Sequence, residues 1–210
     1  MSDGIIDISP PISSALAVWP GDVPFSREVS LSIANGANID LSCIRTTVHL
    51  GAHVDAPSHY AADGEGIGTR DLSFYLGPAQ VMRVDVVPGE RIRPEHLTGP
   101  IVAPRVLFHT GSYPDPTRFN SDFCSLSPEL IEQLAGDGVR LVGIDTPSID
   151  PADCKDLPSH SMVAAHDMAV LEGIVLDRVG DGVYTLVALP LSIEGADASP
   201  VRAVLLEEPL

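Results

Sequence analysis

Basic residues are scarce in this sequence: 12 Lys and Arg stand against 29 Asp and Glu in 210 residues, a formal net charge of -17. A field of that sign repels phosphate backbones, and no Lys/Arg-rich run supplies a local exception, so nucleic acid is not expected as a partner. Cysteine is scarce as well. Cys43, Cys124 and Cys154 are odd in number and far apart, which fits neither a disulfide framework nor a thiolate zinc site, and none sits in a nucleophile context. Long apolar runs are missing: nowhere do about 18 uninterrupted apolar residues occur. The start, MSDGIIDISPP, carries no basic segment leading into an apolar one. A membrane partner is therefore not expected, and the expectation is a soluble, cytoplasmic protein. No repeat, low-complexity segment or linker divides the chain, so residues 1–210 read as one domain.

What is present is a hydrophobic content of 44% broken by 19 prolines and 18 glycines. That punctuation is too frequent for a helical bundle and suits many short strands. Strand-like runs are IIDIS at the start, the stretch from Val81 to Val87, RVLFHT near Val106, LVGID near Val142 and YTLVALPLSI near Val187. The clearest helix is Ser127 to Ala135, with a capping Ser, Pro at the first helical position, an early Glu, and Gly136 and Gly138 as stops. It runs directly into the LVGID strand, whereas the other strands follow one another without helices between. The class is α/β with a β-rich core.

The segment His49-Leu-Gly-Ala-His-Val-Asp-Ala-Pro-Ser-His59 gathers three of the chain's seven histidines and an aspartate. His49 and His53 have the one-turn spacing of a metal-binding helix, but Gly51, Val54 and Pro57 oppose a helix. Polar and apolar positions alternate instead, which predicts an extended segment with His49, His53 and Asp55 on one face. In a straight strand His49 and His53 would stand about 13 Å apart at roughly 3.3 Å per residue, too far to share an ion, so the chain must bend at Gly51. A solvated polar face is the blander alternative. Three histidines and a carboxylate in register, with glycine where the geometry needs one, favour a metal site. Imidazole and carboxylate without thiolate suit Zn²⁺ first, and also Mn²⁺ or Fe²⁺.

Further ligands must lie downstream, where His160, His166 and Glu172 are the candidates. Glu172 interrupts the apolar series from Met168 to Leu176, where a carboxylate is costly to bury unless a cation meets it. An exposed place at the end of an element is the alternative. His96 and His109 have no ligand company. Trp19, the single tryptophan, sits beside a Pro-Gly turn and reads from the residues alone as a core anchor, with an aromatic wall for a substrate as the sharper option.

The His49–His59 segment resembles the signature His-x-Gly-Thr-His-x-Asp-x-Pro-x-His of the cyclase-like metal hydrolase family. Asp7-Ile-Ser-Pro-Pro11, Trp19-Pro-Gly-Asp22, Leu141-Val-Gly-Ile-Asp-Thr-Pro-Ser148, His166-x-Met-Ala-x-Leu-Glu-Gly173 and Asp197-Ala-Ser-Pro-Val-Arg-Ala203 extend the resemblance, in order, to its bacterial kynurenine formamidase branch. The resemblance implies a compact β-rich domain of two packed sheets with flanking helices, and a homodimer. It implies a two-zinc arylformamidase, with Mn²⁺ a possible substitute, that cleaves N-formyl-L-kynurenine to L-kynurenine and formate in tryptophan breakdown. By the same carry-over His49, His53 and Asp55 hold the first ion, Asp55 bridges to a second held by His160, and Glu172 contacts both. His59 becomes the proton donor and acceptor and Trp19 a substrate-binding residue, while His166 is left without a role. The departure is Ala52 in place of the signature Thr, which removes a hydroxyl from the surroundings of the ligands. The rivals are an isatin-opening hydrolase on the same fold, a binding module with a closed structural metal, and an acidic scaffold without metal.

Overall fold

The computed structural model describes residues 4–208. The apolar runs form strands β1 (Ile5–Asp7), β2 (Ser26–Leu31), β3 (Leu41–Arg45), β4 (His53–Asp55), β5 (Leu76–Arg83), β6 (Arg91–Ile92), β7 (Arg105–His109) and β8 (Ser125–Leu126). After β8 come α1 (Pro128–Gly136), β9 (Leu141–Ile144), α2 (Pro158–Ala165), β10 (Ala169–Glu172), β11 (Gly182–Val187), β12 (Ala198–Pro200) and β13 (Val204–Leu206). Nine strands make one sheet in the order β1-β13-β11-β5-β7-β9-β10-β4-β12; β2 pairs with β3, and β6 with β8, in two small sheets.

The middle of the large sheet, β5-β7-β9-β10, is parallel, and its flanks are antiparallel. Parallel strands must be covered on both faces, which explains why β7 and β9 are buried along their whole length, with residues 106–108 and Leu141–Ile144 apolar throughout. Alternate residues serve different cores. Val106, Phe108, Val142, Ile144 and Val170 point to one face, where they pack with Leu130, Ile131 and Leu134 of α1 and Val163 of α2. Leu107, Leu141 and Leu171 point to the other, where they share a cluster with Val54 near one end of the sheet and Leu205 near the other. One cluster reaches both ends only because the sheet curls round it. The expected two packed sheets are thus the facing halves of a single curled sheet.

Helix α1 begins as expected, with the Ser127 hydroxyl accepting from the Leu130 amide at 3.2 Å and Pro128 in the first turn. Helix α2 corrects the reading that no helix separates the later strands. Its N-cap is none of Ser, Thr, Asp or Asn but Leu157, which sits in the left-handed region at φ 44°. Two strands also differ in extent: the run expected at Val81–Val87 is shifted towards the N-terminus, beginning at Leu76 and ending at Arg83, and YTLVALPLSI is strand only as far as Val187.

Candidate metal centre

Strand β4 lies between β10 and β12, with His53 opposite Glu172 on one side and Pro200 on the other. Side chains two apart share a face of a strand, so His53 and Asp55 point together while Val54 enters the core. The strand is shorter than the alternation predicted. At Gly51 the chain turns with φ +56°, so His49 approaches from a bend rather than from the strand face, and His59 closes a 3-10 turn over Pro57–His59. Gly173, at φ +66°, follows Glu172; a Cβ there would lie 2.1 Å from the Gly51 carbonyl oxygen. Two glycines thus let the bend that presents His49 cross directly over the end of β10.

The donors converge on Asp55. Its Oδ1 lies 3.0 Å from His49 Nδ1 and 3.5 Å from His53 Nε2, and its Oδ2 lies 3.5 Å from His160 Nε2. Glu172 spans the same two sides, Oε2 at 3.3 Å from His53 Nε2 and Oε1 at 3.5 Å from His160 Nε2. Among the described residues, three groups could each hold an ion: His49, His53 and Asp55; Asp55, His160 and Glu172; and, towards solvent, His49, His59 and Asp197. Asp55 is common to the first two.

Whether a cation fits is decided by how these atoms are satisfied. Both Asp55 oxygens are buried without a hydrogen-bond partner, although imidazole nitrogens lie within reach. The tautomers explain why. His53 Nδ1 donates to the Gly51 carbonyl at 2.9 Å and His160 Nδ1 to Asp150 Oδ2 at 2.8 Å. Each neutral ring therefore turns the lone pair of Nε2 towards the carboxylates. Lone pairs facing lone pairs at 3.3 to 3.5 Å are repulsive unless a positive species lies between them. They are also spaced as ligands of one ion with bonds of about 2.0 to 2.2 Å would be. The donor set fits a metal.

Without a cation, protons take its place. Burial would lower the His49 imidazole, but Asp55 and Asp197 lift it to about 9. His53 and His160 are raised in the same way against burial, by Glu172 and Asp55 for the one and by Asp150, Asp55 and Glu172 for the other. Asp55, which burial alone would push up, is held well below the usual carboxylate range by His160, His49 and His53. Metal uptake then displaces protons from the imidazoles.

Two carboxylates that the sequence reading did not count among the ligands complete the surroundings of the histidines. Asp150 is fully buried, accepts from the Ser159 and His160 amides at the start of α2, and pairs with Arg91 at 2.9 Å. These contacts overcome burial and hold its carboxyl at about 2. Asp197 Oδ2 lies 3.0 Å from His49 Nε2 and 3.5 Å from His59 Nδ1. The sequence signal for Asp197 was its place in a family motif; for Asp150 there was none, since only the tertiary fold brings it to His160.

Above the cluster opens a cavity of about 490 Å³ with His49, His53, His160 and Glu172 in its floor. His59 lies beside it, 33% exposed, its ring 4.3 Å from that of His49. Trp19 lines the wall with its edge against Phe119 and Phe123, at 5.2 and 6.2 Å between ring centres. Being partly exposed at 36%, it is a wall residue rather than a core anchor. His166 caps the C-terminal end of α2, exposed and outside these groups. His109 is buried beside Asp177, and His96 accepts from the Arg93 amide.

Residues 6–151 match the family model named Cyclase. The chain belongs to the cyclase family. Among solved structures, a potential metal-dependent hydrolase with cyclase activity is similar at 27% identity, with 98% of each chain covered and a TM-score of 0.82. The predicted metal-dependent hydrolase from Bacillus stearothermophilus is similar at 26% identity over 97% of this chain and 98% of that one, with a TM-score of 0.81. Isatin hydrolase A from Labrenzia aggregata shares the fold, at 22% identity, 97% and 94% coverage and a TM-score of 0.81. The fold is that of cyclase-family metal-dependent hydrolases, and the donor cluster of this member lies in the floor of its pocket.

Proposed function

We propose that this cyclase-family member is a cytoplasmic, homodimeric arylformamidase that hydrolyses N-formyl-L-kynurenine to L-kynurenine and formate. The observation that carries the reading is the unpartnered, buried Asp55 carboxylate at the meeting point of two donor groups, whose His49, His53, His160 and Glu172 line the floor of an aromatic-walled pocket. His49, His53 and Asp55 would hold one Zn²⁺, and His160 with Asp55 and Glu172 a second, Mn²⁺ being an alternative metal. When bound, such ions supply Lewis acidity and water activation at neutral pH.

The residues of the chain do the rest. The aryl ring lies against Trp19, which directs the small formyl group to the floor. As water adds to the formyl carbon, His59 takes one of its protons. When the C–N bond breaks, His59 returns that proton to the aryl nitrogen, so that formate and the free arylamine leave. Asp197, 3.5 Å from His59 Nδ1, orients the ring for both transfers. Asp150 fixes the His160 tautomer.

A second reading, opening of the isatin lactam, has the likeness to isatin hydrolase in its favour. Purified protein tested on N-formyl-L-kynurenine and isatin side by side, before and after chelation and with zinc restored, separates the two. Metal-dependent release of kynurenine with isatin untouched is the expected result. Turnover of isatin alone would replace the substrate, and turnover of neither by metal-loaded protein would overturn the reading.

A further inference from the structure

Trp19 and Asp22 stand at the two ends of one turn, closed by the Asp22 amide donating to the Trp19 carbonyl at 2.9 Å, with Gly21 at φ +95° inside it. The ends of such a turn lie within about 7 Å of each other at Cα. Both residues line the cavity, so an indole and a carboxylate are offered side by side. A second exposed carboxylate, Asp177, lines the same cavity. Asp145 lines it too, but its oxygens are occupied: Oδ2 accepts from the Thr110 and Gly111 amides and Oδ1 from the Thr110 hydroxyl.

No Lys or Arg is among the described residues lining the cavity. Arg202 is paired with Asp7, and Arg45 lies exposed on β3. The cavity thus presents aromatic and aliphatic walls, a floor of metal-type donors, and two exposed carboxylates: Asp22 beside Trp19, whose Oδ1 accepts from the Val23 amide at 2.7 Å and leaves Oδ2 for a ligand, and Asp177, whose Oδ1 lies 3.8 Å from His109 Nε2.

We propose that Asp22 and Asp177 read a primary ammonium on the substrate, set about one turn's width from an aryl ring lying on Trp19. The substrate class is an arylformamide with an aliphatic ammonium on its side chain. This rests on the amide-hydrolysing reading above and deepens it: for N-formyl-L-kynurenine, the α-ammonium is held and the α-carboxylate faces solvent. A charge-assisted hydrogen bond of this kind is worth about tenfold or more in binding.

The test compares four compounds on the zinc-loaded protein: N-formyl-L-kynurenine, its decarboxylated amine, its deaminated acid and uncharged formanilide. The decarboxylated amine should match or exceed N-formyl-L-kynurenine in kcat/KM, and the deaminated acid should fall about tenfold or more below it, mainly through KM. Asp22→Asn and Asp177→Asn should each shrink the ratio of amine to formanilide. Glu132→Gln, which removes a charge from α1 away from the cavity, should leave that ratio alone, separating local recognition from the field of the whole acidic chain. Preference for the deaminated acid, or a ratio unmoved in both cavity variants, overturns the proposal while leaving the hydrolase reading standing. If no formamide, formanilide included, is turned over, the hydrolase reading fails. Calorimetric binding of kynuramine then decides the charge reading: uptake weakened in the cavity variants supports it, and no uptake overturns it.

Discussion

Asp55 and His59 both lie beside His49 but differ in task, and substitution should separate them. Among the described residues the carboxylate beside His59 is Asp197, at 3.5 Å, and its ring lies 4.3 Å from that of His49. His59→Ala should keep bound metal while turnover falls by about 10² to 10⁴, the range of one proton-transfer group. Asp55→Ala should lose both, as metal analysis beside kinetics will report. Asp150 acts one step further out. Asp150→Asn should weaken metal binding about 10- to 100-fold with the fold retained, because the His160 ring loses the carboxylate that fixes its tautomer. The same residue predicts a pH effect in metal-free protein. Its carboxyl is held at about 2 against an ordinary 3.8, so the stability it contributes is present above about pH 4 and is lost as the pH falls towards 2. That contribution is about 2 kcal/mol. Urea unfolding at pH 5 and pH 3 should show a steeper loss in the wild type than in Asp150→Asn.

Among the elements, β4 was legible because it obeys period two and its polar residues sit on one face. The bend at Gly51 was legible as well, since the reach of imidazole required it. The length of the extended segment was not, because alternation continues in the sequence through a bend it does not encode. Helix α2 stayed hidden for a related reason: its start is held by the Asp150 carboxylate, supplied from another part of the chain, in place of a local cap. Glu172 left two options from sequence, and its register opposite His53 resolves them in favour of burial. Gly173→Ala tests how these pieces meet. Its Cβ would clash with the Gly51 carbonyl at 2.1 Å, and φ +66° is strained for any other residue. The cost should be about 2 to 5 kcal/mol, read as a lowered Tm together with weaker metal binding as His49 is pushed away from β10.

For the whole molecule, the class, most of the core strands and the gathering of His49, His53 and Asp55 were read from the residues, while the curl of the sheet was not, since it depends on which distant strands share a core. The hairpin of β2 and β3 projects from this body: both strands are exposed along their length, and they carry Val29, Leu31, Leu41 and Ile44. Such a patch on a chain of net charge -17 fits the proposed homodimer, because only apolar contact overcomes the mutual repulsion of two acidic copies. Light scattering should give the mass of two chains, and Leu41→Lys with Ile44→Lys should shift it to one.

The position of β4 also bears on the order in which the sheet assembles. Its neighbours in the sheet are β10 and β12, whose residues come more than a hundred positions later in the chain. During synthesis the first histidines leave the ribosome early, yet they have no sheet to join until nearly the whole chain has followed. Long-range pairings of this kind form slowly. Assembly of the donor cluster is therefore a late event, completed only when Glu172 and Asp197 arrive beside the early histidines.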